Sequence, residues 1–148
     1  MKRLFQGLPL IAALFLAGCS SNAQSTDATA ISRGDQIEVL DFHTDHRCQT
    51  CLTIERLTKA VLQDSFAEQM ASGTITFRLI NVDEEENFPL AQKFGAFGTS
   101  LIINTIQDGE AHFIDLTDFA FMTATNESKF SQELREKIQS ELSNLQRS

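Results

Sequence analysis

The chain alternates short apolar runs with longer segments whose apolar residues recur at helical spacing. The runs at residues 37–43, 74–82 and 101–106 are bounded by polar residues and predict buried strands. The pair Asp108-Gly109 predicts a tight hairpin turn that leads into a fourth strand at residues 111–116. The sequence therefore predicts four strands, and the last two form a hairpin.

Helical spacing appears in three segments between and after these strands. Residues 51–70 carry apolar side chains on one face, and residues 84–94 predict a shorter helix. A final amphipathic helix covers residues 130–145, with Asn126 or Ser128 as its N-terminal cap. The stretch between the hairpin and this last helix shows no regular period, so no element is predicted there.

The resulting order is β-α-β-α-β-β-α. Strands joined through helices are parallel, and the hairpin adds antiparallel pairing at one side. The order predicts an α/β fold of three layers, a mixed sheet with helices on both faces. The sequence shows no internal repeat, so we expect one domain over residues 35–148.

The first 18 residues have the organisation of an export signal. Lys2 and Arg3 precede a short apolar run at residues 4–16, which is too short to remain as a spanning helix. The run ends in Leu16-Ala17-Gly18-Cys19, which resembles the bacterial lipobox. That resemblance implies cleavage before Cys19 and lipidation of its thiol and amino group. The alternative is an ordinary secretory signal followed by a chance cysteine.

Residues 19–34 are rich in Ser, Thr, Ala, Asn and Gln and predict a flexible tether between the lipidated Cys19 and the domain. The expected location is the cell envelope, lipid-anchored on the periplasmic side of a membrane, the outer membrane included, or at the cell surface. The chain carries a formal charge of −8, and loss of the basic signal makes it more acidic still. This acidity argues against nucleic acid as a partner and leaves membrane attachment to the lipid.

Once Cys19 carries lipid, only Cys48 and Cys51 remain. A bridge between cysteines three positions apart closes almost no loop, so it adds little stability. The pair is therefore better explained by redox chemistry than by structural stapling. The alternative is an inert buried disulfide.

The segment Cys48-Gln49-Thr50-Cys51 follows the first strand and precedes a helix, and this placement resembles the thioredoxin superfamily. Val39-Leu40-Asp41-Phe42 resembles the thioredoxin strand whose aspartate lies behind the dithiol. Arg47-Cys48-Gln49-Thr50-Cys51 and Ile54-Glu55 are most similar to a bacterial thioredoxin-like family labelled nitrophenyl compound nitroreductase subunit, ArsF family. No flavin-type motif accompanies them, so we expect no cofactor.

A cysteine at a helix start is favoured as thiolate by the helix dipole and by unpaired backbone N–H groups. Cys48 is therefore the expected nucleophile and Cys51 the resolving cysteine. His46 and Arg47 add positive charge that stabilises the thiolate. The resemblance implies that Asp41 relays a proton to or from Cys51. The alternative for Asp41 is a carboxylate that caps the adjacent loop or reaches solvent.

Two positions depart from the thioredoxin pattern. Arg47 stands where an aromatic residue is usual, and Ser100 replaces the cis-proline that faces the dithiol. A cis bond before a residue other than proline costs about 2.5–4 kcal/mol. We therefore expect a trans Thr99–Ser100 bond and a docking edge unlike that of thioredoxins.

These observations favour a membrane-tethered thiol–disulfide oxidoreductase or redox relay, acting as a monomeric domain on a protein thiol or disulfide partner. A second interpretation is a zinc or copper module in which His43, His46, Cys48 and Cys51 are the ligands. A third is a non-catalytic adaptor. His112 and the acidic residues 83–86 are expected to be solvated surface groups.

Overall fold

The structure is a computed structural model that describes residues 34–145. The predicted signal, Cys19 and nearly all of the predicted tether lie outside those residues, so these three expectations stay predictions. The regular elements are β1 (Gln36–His43), α1 (Gln49–Ser65), α2 (Ala67–Ser72), β2 (Ile75–Asn81), α3 (Phe88–Phe94), β3 (Ser100–Gln107), β4 (Glu110–Asp115), α4 (Thr117–Thr123) and α5 (Glu127–Leu145). A single 3₁₀ turn, Glu85–Asn87, leads into α3.

The four strands form one mixed sheet in the order β2-β1-β3-β4. β1 runs parallel to β2 and antiparallel to β3, and β3 pairs antiparallel with β4. The register places His43 beside Asn81 and Phe42 beside Ser100. The ends of β1 and β2 and the start of β3 therefore meet at one end of the sheet. This confirms the predicted mixed α/β sheet with thioredoxin-like connections.

Helices cover both faces of the sheet. On one face Ile37, Val39 and Ile103 pack against α1, α4 and α5, with Phe130 fully buried among them. On the other face Leu40, Phe42 and Ile102 pack against Phe94 of α3 and against Ala96. The strand alternation that separates odd from even positions produces these two cores. The three-layer arrangement is thus confirmed.

The helix predicted over residues 51–70 is in fact two helices, and it begins earlier. α1 starts at Gln49, and Phe66 leaves helical geometry with φ −135° and ψ 26° before α2 continues. Phe66 is 2% exposed and belongs to the main core. Burying this ring turns the chain at the junction, and an apolar period alone does not reveal such a turn. Gly73, with φ 78°, ends α2.

The hairpin turn and the last helix cap are confirmed. Asp108 and Gly109 have φ of 53° and 80°, the left-handed values that a two-residue hairpin loop requires. Asn126 caps α5, since its Oδ1 accepts a hydrogen bond from Lys129 N at 3.1 Å. The irregular stretch contains α4, which the sequence reasoning missed because Phe121 and Met122 are exposed and blur its apolar face.

Glu141 anchors α5 to the sheet. Its carboxylate accepts a hydrogen bond from Thr105 Oγ1 at 2.6 Å and lies 2.9 Å from His112 Nε2. His112 is exposed at the surface, as expected, and its imidazole also contacts this buried acid. No helix within residues 34–145 has the length and apolar character needed to cross a membrane.

Candidate functional site: a disulfide at the start of helix α1

Cys48 is the N-terminal cap of α1. Its backbone is extended, with φ −76° and ψ 161°, and its Sγ accepts a hydrogen bond from Cys51 N at 3.0 Å. The two sulfur atoms are bonded to each other at 2.15 Å. A cysteine sulfur thus occupies the place that a serine or aspartate oxygen takes at an ordinary helix start. Any negative charge on that sulfur faces backbone donors and the positive end of the helix dipole.

The two cysteines differ sharply in exposure. Cys48 is exposed to solvent, whereas the side chain of Cys51 is buried in the first turn of α1 and the residue is 5% exposed. An incoming thiol or disulfide therefore has access to the Cys48 sulfur and not to that of Cys51. This asymmetry is what the roles of attacking and resolving cysteine require.

Asp41 lies in β1 and is fully buried. Neither of its carboxylate oxygens has a hydrogen-bond partner among the described residues, so it neither caps a loop nor reaches solvent. Burial raises the pKa of Asp41 from 3.8 to about 7, and the nearby charge of Arg47 opposes part of that rise. The group therefore changes protonation near neutral pH, as a proton-transfer group must. Its predicted relay to Cys51 stays a prediction.

Arg47 does not present an isolated cation to Cys48. Its Nη1 donates to Glu55 Oε2, and Lys59 Nζ donates to the other oxygen of the same carboxylate. Burial alone would raise the pKa of Glu55, but the hydrogen bonds from Lys59 and Arg47 outweigh it and lower that pKa. Part of the positive charge expected beside the dithiol is therefore compensated.

The histidines do not gather around the cysteines as metal ligands. His43 Nδ1 lies 3.0 Å from the backbone oxygen of Thr44, and His46 is exposed in the loop before α1. Within residues 34–145 no group of three or more His, Cys, Asp and Glu side chains is placed to hold a metal ion. No observation therefore favours the zinc or copper interpretation.

The loop that carries His46 and Arg47 is held by the end of β2. Asp45 N donates to Asp83 Oδ2 at 2.8 Å, and Asn81 Nδ2 donates to Asp45 Oδ1 at the same distance. Asp83 is exposed, as expected, and its carboxylate also fixes the loop that precedes the dithiol. Spacing along the chain gave no sign of these contacts, because they join residues 36 and 38 positions apart.

Ser100 begins β3 at the same end of the sheet, opposite Phe42 in the register. Every peptide bond within residues 34–145 is trans, which confirms the expected trans Thr99–Ser100 bond. Two apolar side chains are exposed nearby along the chain, Leu52 directly after the dithiol at 43% and Phe97 in the loop before Ser100 at 64%.

Glu55 and Lys59 are the site residues that sequence reasoning missed. The sequence contains a usable signal, since a glutamate four positions before a lysine on a helix predicts an ion pair. The contact of Arg47 with the same carboxylate crosses from the loop to the second turn of α1. Only the folded chain shows that contact.

No protein-family model and no curated protein matches the chain. Solved structures to which it is similar include a solution structure of a thioredoxin from Thermus thermophilus, 18% identical over 70% of this chain and 74% of that one, with a TM-score of 0.46. Another is a malarial protein, 18% identical over 60% of this chain and 94% of that one, with a TM-score of 0.36. The assignment of the fold rests on the strand order and connections of the sheet, and the finer family resemblance stays a prediction.

Proposed function

We propose that the chain is a membrane-tethered thiol–disulfide oxidoreductase or redox relay. The observation that carries the proposal is the pairing of an exposed Cys48 at the cap of α1 with a buried Cys51. A purely structural disulfide needs no such difference in access. It would also stabilise the fold little, because its loop is so short.

The reaction is a two-electron exchange. In the reducing direction, the Cys48 thiolate attacks one sulfur of a partner disulfide, and the partner's other sulfur leaves as a thiolate that takes up a proton. Cys51, once deprotonated, then attacks Cys48, which forms the Cys48–Cys51 disulfide and releases the partner as a dithiol. Asp41 is the proposed proton acceptor for Cys51. The same steps in reverse oxidise a partner dithiol.

A redox titration tests this proposal directly. The full chain, purified in detergent, is equilibrated with mixtures of reduced and oxidised glutathione and then alkylated to count its thiols. We expect Cys48 and Cys51 to change together in one two-electron transition, because neither can form the bridge alone. A disulfide that stays oxidised at every glutathione ratio, or thiols that never pair, would contradict the proposal.

The proposed attachment is a lipid on Cys19, which places the domain at the cell envelope. Its support is the Leu16-Ala17-Gly18-Cys19 segment together with the polar stretch that follows it. We expect bacterial cells expressing the full chain to incorporate labelled fatty acid into it. Cys19→Ser should lose both the label and the membrane association, whereas Cys48→Ser keeps both. Labelling that survives Cys19→Ser would show the attachment to be wrong.

A further inference from the structure

Two cations share a single carboxylate beside the dithiol. Arg47 and Lys59 bind different oxygens of Glu55, so the three side chains together carry one excess positive charge. Arg47 and Glu55 are 18% and 15% exposed, which limits screening by water and salt. Lys59 Nζ also lies 5.6 Å from the centroid of the Phe77 ring, on the strand beside β1. The cluster therefore has a defined position against the sheet.

Two groups that can become anions belong to the same site as this excess charge. One is Cys48, which directly follows Arg47 in the chain. The other is Asp41, whose protonation responds to the charges of Arg47, Glu55 and Lys59 together. Arg47 Nε and Nη2 and both Asp41 oxygens are buried without hydrogen-bond partners among the described residues. Their interaction therefore acts through space, and the size of its net effect depends on Glu55.

We propose that Glu55 is a positioning residue of the redox site, which holds Arg47 against α1 and leaves one positive charge for which the Cys48 thiolate and the Asp41 carboxylate compete. The proposal rests on the proposed function, because it concerns the reduced dithiol. When Cys48 ionises, its thiolate interacts with the excess positive charge, and Asp41 keeps its proton. When Cys48 is bonded to a partner or to Cys51, the charge becomes available to Asp41, which can then give up its proton.

Replacing Glu55 by Gln tests the competition. Glu55→Gln keeps the size of the side chain but doubles the excess positive charge. The Cys48 thiolate and the Asp41 carboxylate can then both be stabilised. We expect the midpoint pH of Cys48 alkylation in the reduced chain to fall by about one unit. The equilibrium with glutathione should shift about tenfold toward the dithiol, which equals about 30 mV for a two-electron couple.

Two further variants separate positioning from a general effect of charge. Arg47→Met removes the cation and should shift both measurements in the opposite direction. Combined with it, Glu55→Gln should have a clearly smaller effect, because its main route to Cys48 is gone. The matched control is Glu127→Gln in α5, which removes the partner of Arg56 in α1 from an exposed ion pair and should change neither measurement.

The outcomes are distinguishable. A wild-type chain that does not exchange with glutathione overturns the proposed function. A wild-type chain that exchanges normally, with Glu55→Gln at the same midpoint and equilibrium, overturns the role of Glu55. If Glu55→Gln shifts the midpoint pH equally with and without Arg47, the effect of Glu55 does not act through Arg47. If Glu55→Gln does not fold, Arg47→Met alone tests the proposal, and a midpoint pH that does not rise in that variant overturns it.

Discussion

Cys51→Ser is expected to trap Cys48 in a stable mixed disulfide, whereas Cys48→Ser is expected to lose thiol–disulfide exchange completely. The difference follows from access to the sulfurs, since Cys48 is exposed at the helix cap and Cys51 is 5% exposed. Without Cys51, nothing resolves the bond that Cys48 forms. Without Cys48, the remaining thiol is shielded from the partner. Mass spectrometry after incubation with oxidised glutathione should find one glutathionyl group on Cys51→Ser and none on Cys48→Ser.

The double variant Cys48→Ser/Cys51→Ser is the control for modification elsewhere in the chain and should remain unmodified if Cys19 is lipidated. Equal glutathionylation of the two single variants would mean that the cysteines are equivalent in solution. Assignment of Cys48 as the attacking cysteine would then be wrong.

Asp41→Asn is expected to make the protein more stable at pH 8, by up to about 4 kcal/mol, with little effect at pH 4. Burial holds the pKa of Asp41 at about 7 in the folded chain, against 3.8 ordinarily. Between those values the unfolded chain has released the proton and the folded chain still binds it. Stability from the protonated acid is therefore complete below pH 3.8 and is lost as the pH rises through 7. An asparagine has no proton to lose and avoids that loss.

Urea denaturation at several pH values measures this effect. The unfolding free energy of the wild-type chain should fall between pH 4 and pH 8 relative to that of Asp41→Asn, whose curve lacks this component. Asp64→Asn, at the exposed end of α1, is the matched control and should retain the wild-type pH dependence. Parallel pH curves for the wild type and Asp41→Asn would show that Asp41 titrates alike in both states.

Local signals predicted most of the fold. The three apolar runs became β1, β2 and β3 with ends shifted by one residue, because alternation and flanking polar residues act within each strand. The hairpin followed from Asp108-Gly109, whose left-handed backbone few other pairs adopt at so little cost. The order of elements then left little choice of topology, since helical crossovers impose parallel neighbours.

The features that the sequence did not predict are determined by tertiary contacts. The turn at Phe66 comes from burial of one ring, and α4 lacks a clear period because it exposes apolar side chains. At the site, the dithiol and its helix-start position were visible in the sequence. The pairing of Arg47 with Glu55 was not, because it joins a loop to a helix eight positions later. That pairing changes how much positive charge reaches Cys48.

The charged groups proposed to act on the dithiol all lie in one continuous stretch, residues 41–59, which runs from the end of β1 through the following loop into α1. The exposed Phe97, and Ser100 at the start of β3, come from a distant part of the chain. Exchange of residues 41–59 between related domains should therefore transfer the reduction potential of the dithiol, because the charged groups beside it lie in one segment of the chain.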